Sequence, residues 1–222
     1  MADQVKYPGR LIAIDGSRGK DVAAAAGDIV AALKRERIEC AVSRWDASGL
    51  FTDMVAGGRI DRNVSIRTLT LVYAADLAFR LRWEIRPALE AGAVVVAAPY
   101  LDTAVALGAT CGLDEEWLRL LMRFAPVPDF RGLTQERKID KPWKRRADRG
   151  YAEYGAMMLA ATAPRGVSKA ARRRMMEMLD RTRGRKLFHL SNKGIGQLQK
   201  AIIDSRKDAA HQSASRLRNG RK

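Results

Sequence analysis

Lys20 is the residue whose surroundings could do chemistry. It closes a glycine-containing turn, Asp15-Gly16-Ser17-Arg18-Gly19-Lys20, between the short apolar run of residues 11–14 and a long alanine-rich segment. Strand, glycine loop and helix in that order build a phosphate-binding loop. The loop amides and the helix N-terminus face the anion, and the lysine supplies the charge. Two positions depart from the Walker pattern. Ile14 stands where a glycine belongs, six residues before the lysine, and Asp21 stands where a Ser or Thr hydroxyl would hold magnesium. A carboxylate there adds negative charge beside the phosphates, yet is itself a class of magnesium ligand.

The residual nucleotide site read from the sequence is Asp15, Gly16, Ser17, Arg18, Gly19, Lys20 and Asp21, with Arg44 after a second strand. ATP and magnesium are the cofactors such a loop would take; the sequence commits the chain to neither, and no catalytic residue or metal site is assigned. Lys20 is either a phosphate ligand or a surface lysine at a helix start, where the helix dipole disfavours a cation. Asp15 is read as a turn cap, and Arg18 as pointing to solvent. Arg44 is read as an exposed arginine that could still bind an anion. Asp76, on an apolar helix face, pairs with a neighbouring arginine.

The elements that must position these residues follow from periodicity. Residues 11–14 read as a buried strand, 22–36 as a helix and 38–43 as a second strand. Residues 43–60 read as loop with at most one helical turn. Residues 65–89 form a long helical pattern, with Leu69, Val72, Tyr73, Ala75, Asp76 and Phe79 near one face, then Trp83 and Ile85. The valine-rich run 93–98 reads as a central parallel strand. Helices are expected over 103–109 and 115–124, the latter stopped by Pro126 and Pro128. Further helices are expected over 150–163, 168–182 and 197–206. Strands alternating with helices predict an α/β fold with a parallel sheet.

Composition bounds the rest. The chain has 222 residues, 47% hydrophobic, enough for one α/β domain and an appendage. No run approaches the roughly 18–20 apolar residues of a membrane span. The start, Met-Ala-Asp-Gln, lacks a basic-then-apolar export signal. Cys40 and Cys111 lie far apart without metal spacing, which fits a reducing cytoplasm. His189 and His211 lack ligand-spaced companions and are read as exposed or packing residues. Met157, Met158, Met175, Met176 and Met178 read as core or a helix seam that could equally meet a protein partner.

Charge divides the chain. Residues 1–130 hold 16 Lys/Arg against 17 Asp/Glu, net −1, whereas residues 131–222 hold 25 against 8, net +17. The domains expected are a core over 1–130, a basic helical region over 131–207 that packs on or extends it, and a disordered basic tail over 208–222. The basic part implies an anionic partner, nucleic acid or an acidic protein surface. Lys141, Trp143, Lys144, Arg145, Arg146 and Arg149 interleave cations with an aromatic ring. Arg172, Arg173 and Arg174 follow, then Arg183, Arg185 and Lys186. Such patterns suit a phosphate backbone with stacked bases.

Between residues 8 and 129 the segments resemble the thymidylate kinase family. Asp15-Gly16-Ser17 with Gly19-Lys20 resembles the family's loop, with Arg18 inserted. Tyr73-Ala74-Ala75-Asp76, Ile85-Arg86-Pro87-Ala88-Leu89, Tyr100 with Asp102, and Gly112-Leu113-Asp114-Glu115-Glu116-Trp117-Leu118 follow in the family's order. Arg123-Phe124-Ala125-Pro126 and Pro128-Asp129 complete the series. The resemblance implies a P-loop NTPase-type parallel sheet flanked by helices, here with a basic helical C-terminal extension.

The departures fall where that family's chemistry lies. Leu77 replaces the thymine-contacting arginine, and Ala98-Pro99 replaces the Asp-Arg before Tyr100. Arg44-Trp45-Asp46-Ala47 keeps only the arginine of the monophosphate loop, and Trp45 is read as filling that pocket. The base-recognition stretch reads Ala106-Leu107-Gly108, without its glutamine. The strand and lid expected after Pro128-Asp129 are read as largely absent. The reading is a catalytically degenerate member acting as a binding or assembly subunit, with residues 131–222 on nucleic acid or a nucleoprotein. An active nucleotide kinase with altered substrate is the first alternative. A purely structural partner, joined as a homodimer or hetero-complex through the core helices, is the second.

Overall fold

A strand as uniformly apolar as residues 11–14 is stable only where helices cover both of its faces. A computed structural model of the chain describes residues 7–56, 64–134, 169–181 and 187–219, and it places that strand at the middle of a sheet. β1 (Arg10–Asp15) pairs with β3 (Val94–Ala98) on one side and β4 (Phe130–Thr134) on the other. β2 (Cys40–Arg44) lies outside β3, and β5 (Leu187–Leu190) outside β4. All four pairings are parallel, in the order β2-β3-β1-β4-β5.

Side chains alternate along β1. Ile12 and Ile14 pack with Val22, Ile29 and Leu33 of α1 (Gly19–Arg35) and with Leu198 and Ile202 of a C-terminal helix. Leu11 and Ala13 face the opposite layer with Tyr73, Leu77, Leu107, Met175 and Leu179. That layer is built from α3 (Ile66–Arg80) and α5 (Leu101–Thr110), with α2 (Leu50–Ala56), α4 (Arg86–Glu90) and α6 (Glu115–Leu121) around them. α7 (Lys169–Arg181) packs on α5, and α8 (Asn192–Asn219) packs on α1 and β5. Gly132 sits in β4 because a Cβ there would lie 2.6 Å from Leu190 and 2.9 Å from Ile14.

The long helical pattern of residues 65–89 resolves into α3, a π-helical turn over Leu81–Ile85 and α4. The widened turn falls where the Pro87 ring would crowd the Trp83 carbonyl in a regular helix. Ser65 caps α3 by accepting from the Thr68 amide, and Asp114 caps α6 by accepting from the Trp117 amide. The inward face of α3 is set by Leu69, Val72, Tyr73, Asp76, Leu77 and Arg80. Ala75, Phe79 and Trp83, placed on the apolar face by periodicity, are exposed instead.

Several expectations are corrected. The stretch read as loop holds α2, because the Asp46 carboxylate accepts from the Phe51 and Thr52 amides and so caps a helix start. The strand read as absent after Asp129 is β4: the Asp129 amide donates to the Leu11 carbonyl, and its carboxylate accepts from the Leu11 amide at 2.8 Å, which launches the pairing. The region read as helical beyond residue 130 contributes β4 and β5 to the same sheet as β1. The tail read as disordered from 208 is helical to Asn219, since no Gly or Pro interrupts α8 between Gln197 and Asn219. α6 stops at Leu121 rather than residue 124. The helix expected over 150–163 lies outside the described residues. Among the described residues no helix is long and apolar enough to cross a membrane.

The C-terminal elements therefore belong to the core energetically. Leu198, fully buried between α8 and α1, is the direct probe. Leu198→Ala is expected to lower unfolding free energy by about 2–5 kcal/mol in urea denaturation, with α1 and the sheet melting in the same transition. Separate transitions would contradict a shared core.

Candidate functional site

In a parallel sheet with helices on both faces, ligands meet the crevice beyond the C-terminal strand ends, where successive connections leave in opposite directions. Here that point lies between β1, which leads into α1 on one face, and β3, which leads into α5 on the other. Asp15 ends β1. Its Oδ1 accepts from the Tyr100 amide at 3.0 Å, the Thr103 amide at 3.0 Å and the Thr103 hydroxyl at 2.7 Å. Asp15 is thus a cap, of the α5 N-terminus rather than of its own turn. Thr103 Oγ1 accepts in turn from the Gly16 amide at 3.2 Å. Gly16 has no room for a side chain: a Cβ would lie 1.8 Å from the Thr134 hydroxyl oxygen at the end of β4.

Burial, reinforced by the nearby Asp102 carboxylate, pushes the Asp15 carboxyl up to about 6. Burial raises Asp102 as well, and the Arg131 guanidinium, which donates to it from β4, opposes that shift.

The loop continues into α1. Arg18 is the residue before the helix, and its carbonyl accepts from the Asp21 and Val22 amides. Its guanidinium Nε lies 3.2 Å from the Asp21 carboxylate, with 21% of the Arg18 side chain exposed and 2% of Asp21. The expectation that Arg18 faces solvent is therefore corrected; the buried carboxylate three residues on draws it in. Gly19 is buried, while Ser17 and Lys20 are half-buried. Asp21 stands where a magnesium-holding hydroxyl would be, and its carboxylate faces the Arg18 guanidinium.

A second network fixes the end of β2. Arg80 is fully buried; its Nε donates to Ser43 Oγ at 2.8 Å, and its Nη2 to the Ser43 and Pro99 carbonyls at 3.0 and 2.9 Å. Ser43 donates to Glu84 at 2.6 Å. Arg80 Nη1 stands 3.9 Å from Asp76, the arginine partner anticipated for that acid. Asp76 accepts from the Asp46 amide, the Ser48 amide and the Ser48 hydroxyl at 3.1, 3.0 and 2.9 Å. Burial raises its carboxyl, and Arg80 opposes the shift. Between these anchors Trp45 is 1% exposed, stacked on Tyr73 at 4.9 Å between ring centroids and tilted against Phe51 at 5.7 Å. Arg44 sits half-buried at the strand end.

The predicted nucleotide-site residues thus stand at the C-terminal strand ends, with Asp15 closing β1, Gly16 to Arg18 in the loop, Gly19 to Asp21 opening α1, and Arg44 two strands away. Of the basic residues, Arg173 and Arg174 are exposed on α7, and Arg173 pairs with Glu177 at 3.1 Å. Arg172 lies on α7 with its side chain outside the description. Lys141, Trp143, Lys144, Arg145, Arg146, Arg149, Arg183, Arg185 and Lys186 lie outside the described residues. Sequence reasoning missed Arg80, Thr103, Arg131 and Thr134. Only Arg80 left a signal, its four-residue spacing from Asp76.

These features define a class, an α/β protein of P-loop kinase type. The chain is 27% identical over 122 residues to the probable thymidylate kinase 2 of Saccharolobus solfataricus, covering 55% of this chain and 57% of that protein. It is 32% identical over 119 residues to the thymidylate kinase of Rhizorhabdus wittichii, covering 51% and 57%. A probable thymidylate kinase of Pyrococcus abyssi is 39% identical over 81 residues, covering 36% and 38%. The protein is thymidylate-kinase-like, and the matches span about half or less of those curated relatives' own length. No protein-family model matches it.

The Asp15 shift predicts a pH dependence. A carboxyl that titrates near 6 when folded and 3.8 when unfolded favours the folded state at low pH. That contribution is lost as pH rises from about 4 to about 6, by on the order of 3 kcal/mol. Asp15→Asn keeps an acceptor oxygen for α5 and cannot ionise. Its stability should therefore fall less steeply over this window than that of the parent, read from urea midpoints at matched pH. Equal slopes would place the titration elsewhere.

Proposed function

We propose that this thymidylate-kinase-like chain has left phosphoryl transfer and serves as a binding or assembly subunit. The carrying observation is the Arg18–Asp21 pair: the place of a magnesium-holding hydroxyl is taken by a buried carboxylate with a guanidinium upon it. Phosphoryl transfer depends on metal and cationic clamps set around the phosphates, and three guanidinium groups near this loop, those of Arg18, Arg80 and Arg131, are engaged within the chain. Arg131 holds Asp102, and Arg80 holds Ser43 and Pro99. Trp45, buried in the segment that resembles the monophosphate loop, supports a filled acceptor pocket. In a coupled assay with ATP, dTMP and magnesium, turnover is expected far below the roughly 1 per second of ordinary enzymes. Turnover at or above that rate would overturn the reading.

The partner we propose for residues 131–222 is nucleic acid, on the strength of the +17 charge and its interleaved aromatic residue. Single-stranded DNA or RNA should bind at low salt and weaken steeply as salt rises, by about tenfold or more between 50 and 200 mM for several phosphate contacts. Absence of binding at low salt would refute it. A cytoplasmic setting fits Cys40 and Cys111, which are not joined in a disulfide.

One observation favours an active nucleotide kinase instead. Lys20 stays half-buried in the first turn of an unbroken 17-residue α1, immediately after Gly19. Magnesium-dependent ATP binding by calorimetry, weakened at least about tenfold in Lys20→Ala, would select that reading.

A further inference from the structure

Helix α8 buries one stripe and turns the opposite one to solvent. Leu198 and Ile202 are fully buried in the layer that holds Ile12, Ile14 and α1. Gln199 donates to Glu36 beyond the end of α1 at 3.4 Å, and Ser205 accepts from Arg10, the first residue of β1, at 3.0 Å. These contacts fix which side of the helix faces outward. Lys193, Lys200 and Lys207 recur every seven residues, and all three are exposed. Two turns of helix take about 7.2 residues, so the lysines fall in one line, on the side away from Leu198 and Ile202. At about 1.5 Å per residue they stand about 10.5 Å apart, over about 21 Å of helix.

Charge and residue type select the partner. Among the described residues none of the three lysines makes an ion pair, and Asp204, the exposed acid on the same helix, pairs with none of them. Their spacing exceeds the Debye length of about 8 Å at physiological salt, so they repel one another little and each can meet a separate anion. Helix α7 differs. Its exposed charges are Arg173 and Arg174 against Glu177 and Asp180, and Arg173 is taken by Glu177 at 3.1 Å. α8 holds no Phe, Tyr or Trp, hence no platform on which single-stranded bases stack. Lysines are point charges that meet phosphate oxygens rather than read base edges. A straight row of them suits a duplex, whose backbones present one negative charge per about 1.7 Å of axis.

We propose that the outward face of α8 is a sequence-independent binding surface for double-stranded nucleic acid, with Lys193, Lys200 and Lys207 each on a backbone phosphate. The site stands apart from the arginines of α7. A helix already anchored on the core gives up little freedom when it binds, so its row of charges is set in advance. This deepens the nucleic-acid reading of residues 131–222 and rests on it.

The test uses the full chain and a labelled duplex of about 20 base pairs, longer than the row of lysines. Fluorescence anisotropy between about 50 and 200 mM salt gives the slope of log K against log salt. Lys193→Ala with Lys200→Ala and Lys207→Ala is expected to weaken binding at least about tenfold at the lower salt and to flatten the slope by about 0.9 for each lysine. Lys200→Ala alone should flatten it by about 0.9. Urea midpoints equal to the parent's show that each variant is folded. A duplex of unrelated sequence should bind within about twofold. Arg67→Ala with Arg82→Ala, exposed cations of the opposite layer, should leave affinity within about twofold. A triple variant with the parent's slope overturns the proposal and leaves the nucleic-acid reading standing, and so does binding that follows Arg67 and Arg82 instead. Polyglutamate that displaces the duplex at equal charge overturns it too, since an acidic protein would then suit the surface as well. A chain that binds neither duplex nor single strand at the lower salt overturns both.

Discussion

A guanidinium with no solvent exposure is the constraint on which this end of the molecule depends. Burying the Arg80 charge is costly unless donors and a counter-charge meet it. Two strand ends supply acceptors, through the Ser43 and Pro99 carbonyls, and Asp76 supplies the opposite charge. Asp76 must itself be satisfied, and it collects the amides of Asp46 and Ser48. One buried charge therefore ties together the ends of β2 and β3 and, through Asp76, fixes the path of the segment after β2. The rings of Trp45, Tyr73 and Phe51 fill the space this frame encloses. A segment so heavily bonded has little freedom to open around a phosphate.

Asp15 plays the matching part at β1. Its carboxylate occupies the crevice where the sheet's connections diverge, tying the strand end to the first turn of α5 and, through Thr103, to the loop amide of Gly16. The consequence is electrostatic as well as mechanical. Burial raises both carboxyls; the Asp102 charge adds to the shift on Asp15, and the Arg131 guanidinium opposes the shift on Asp102. The loop thus keeps the shape of a phosphate-binding turn while its charges answer one another.

The frame was legible because its signals are local. The apolar run 11–14, the valine run of β3 and the alanine-rich α1 each declare a buried element by composition, and their alternation implies parallel pairing. What was not legible depends on long-range partners. β4 is a short Phe-Arg-Gly-Leu-Thr segment whose arginine and glycine argue against a strand; its identity comes from Asp129 gripping Leu11 across 118 residues. β5 is four residues long and holds an exposed histidine. Arg18 reads as a solvated loop cation until Asp21 is seen to be buried. Asp15 reads as a cap of its own turn; the helix it caps lies some eighty residues downstream and cannot be named from spacing.

The division of charge along the chain acquires a different meaning once the topology is known. A boundary near residue 130 falls at the start of β4, inside the sheet, and β5 from beyond that boundary joins the same sheet. Residues on both sides of it build one core: Leu133 and Met175 pack with Leu11 and Tyr73, and Leu198 packs with Ile12. Of the basic site residues, Arg173 and Arg174 ride on α7, which packs on α5 of that core.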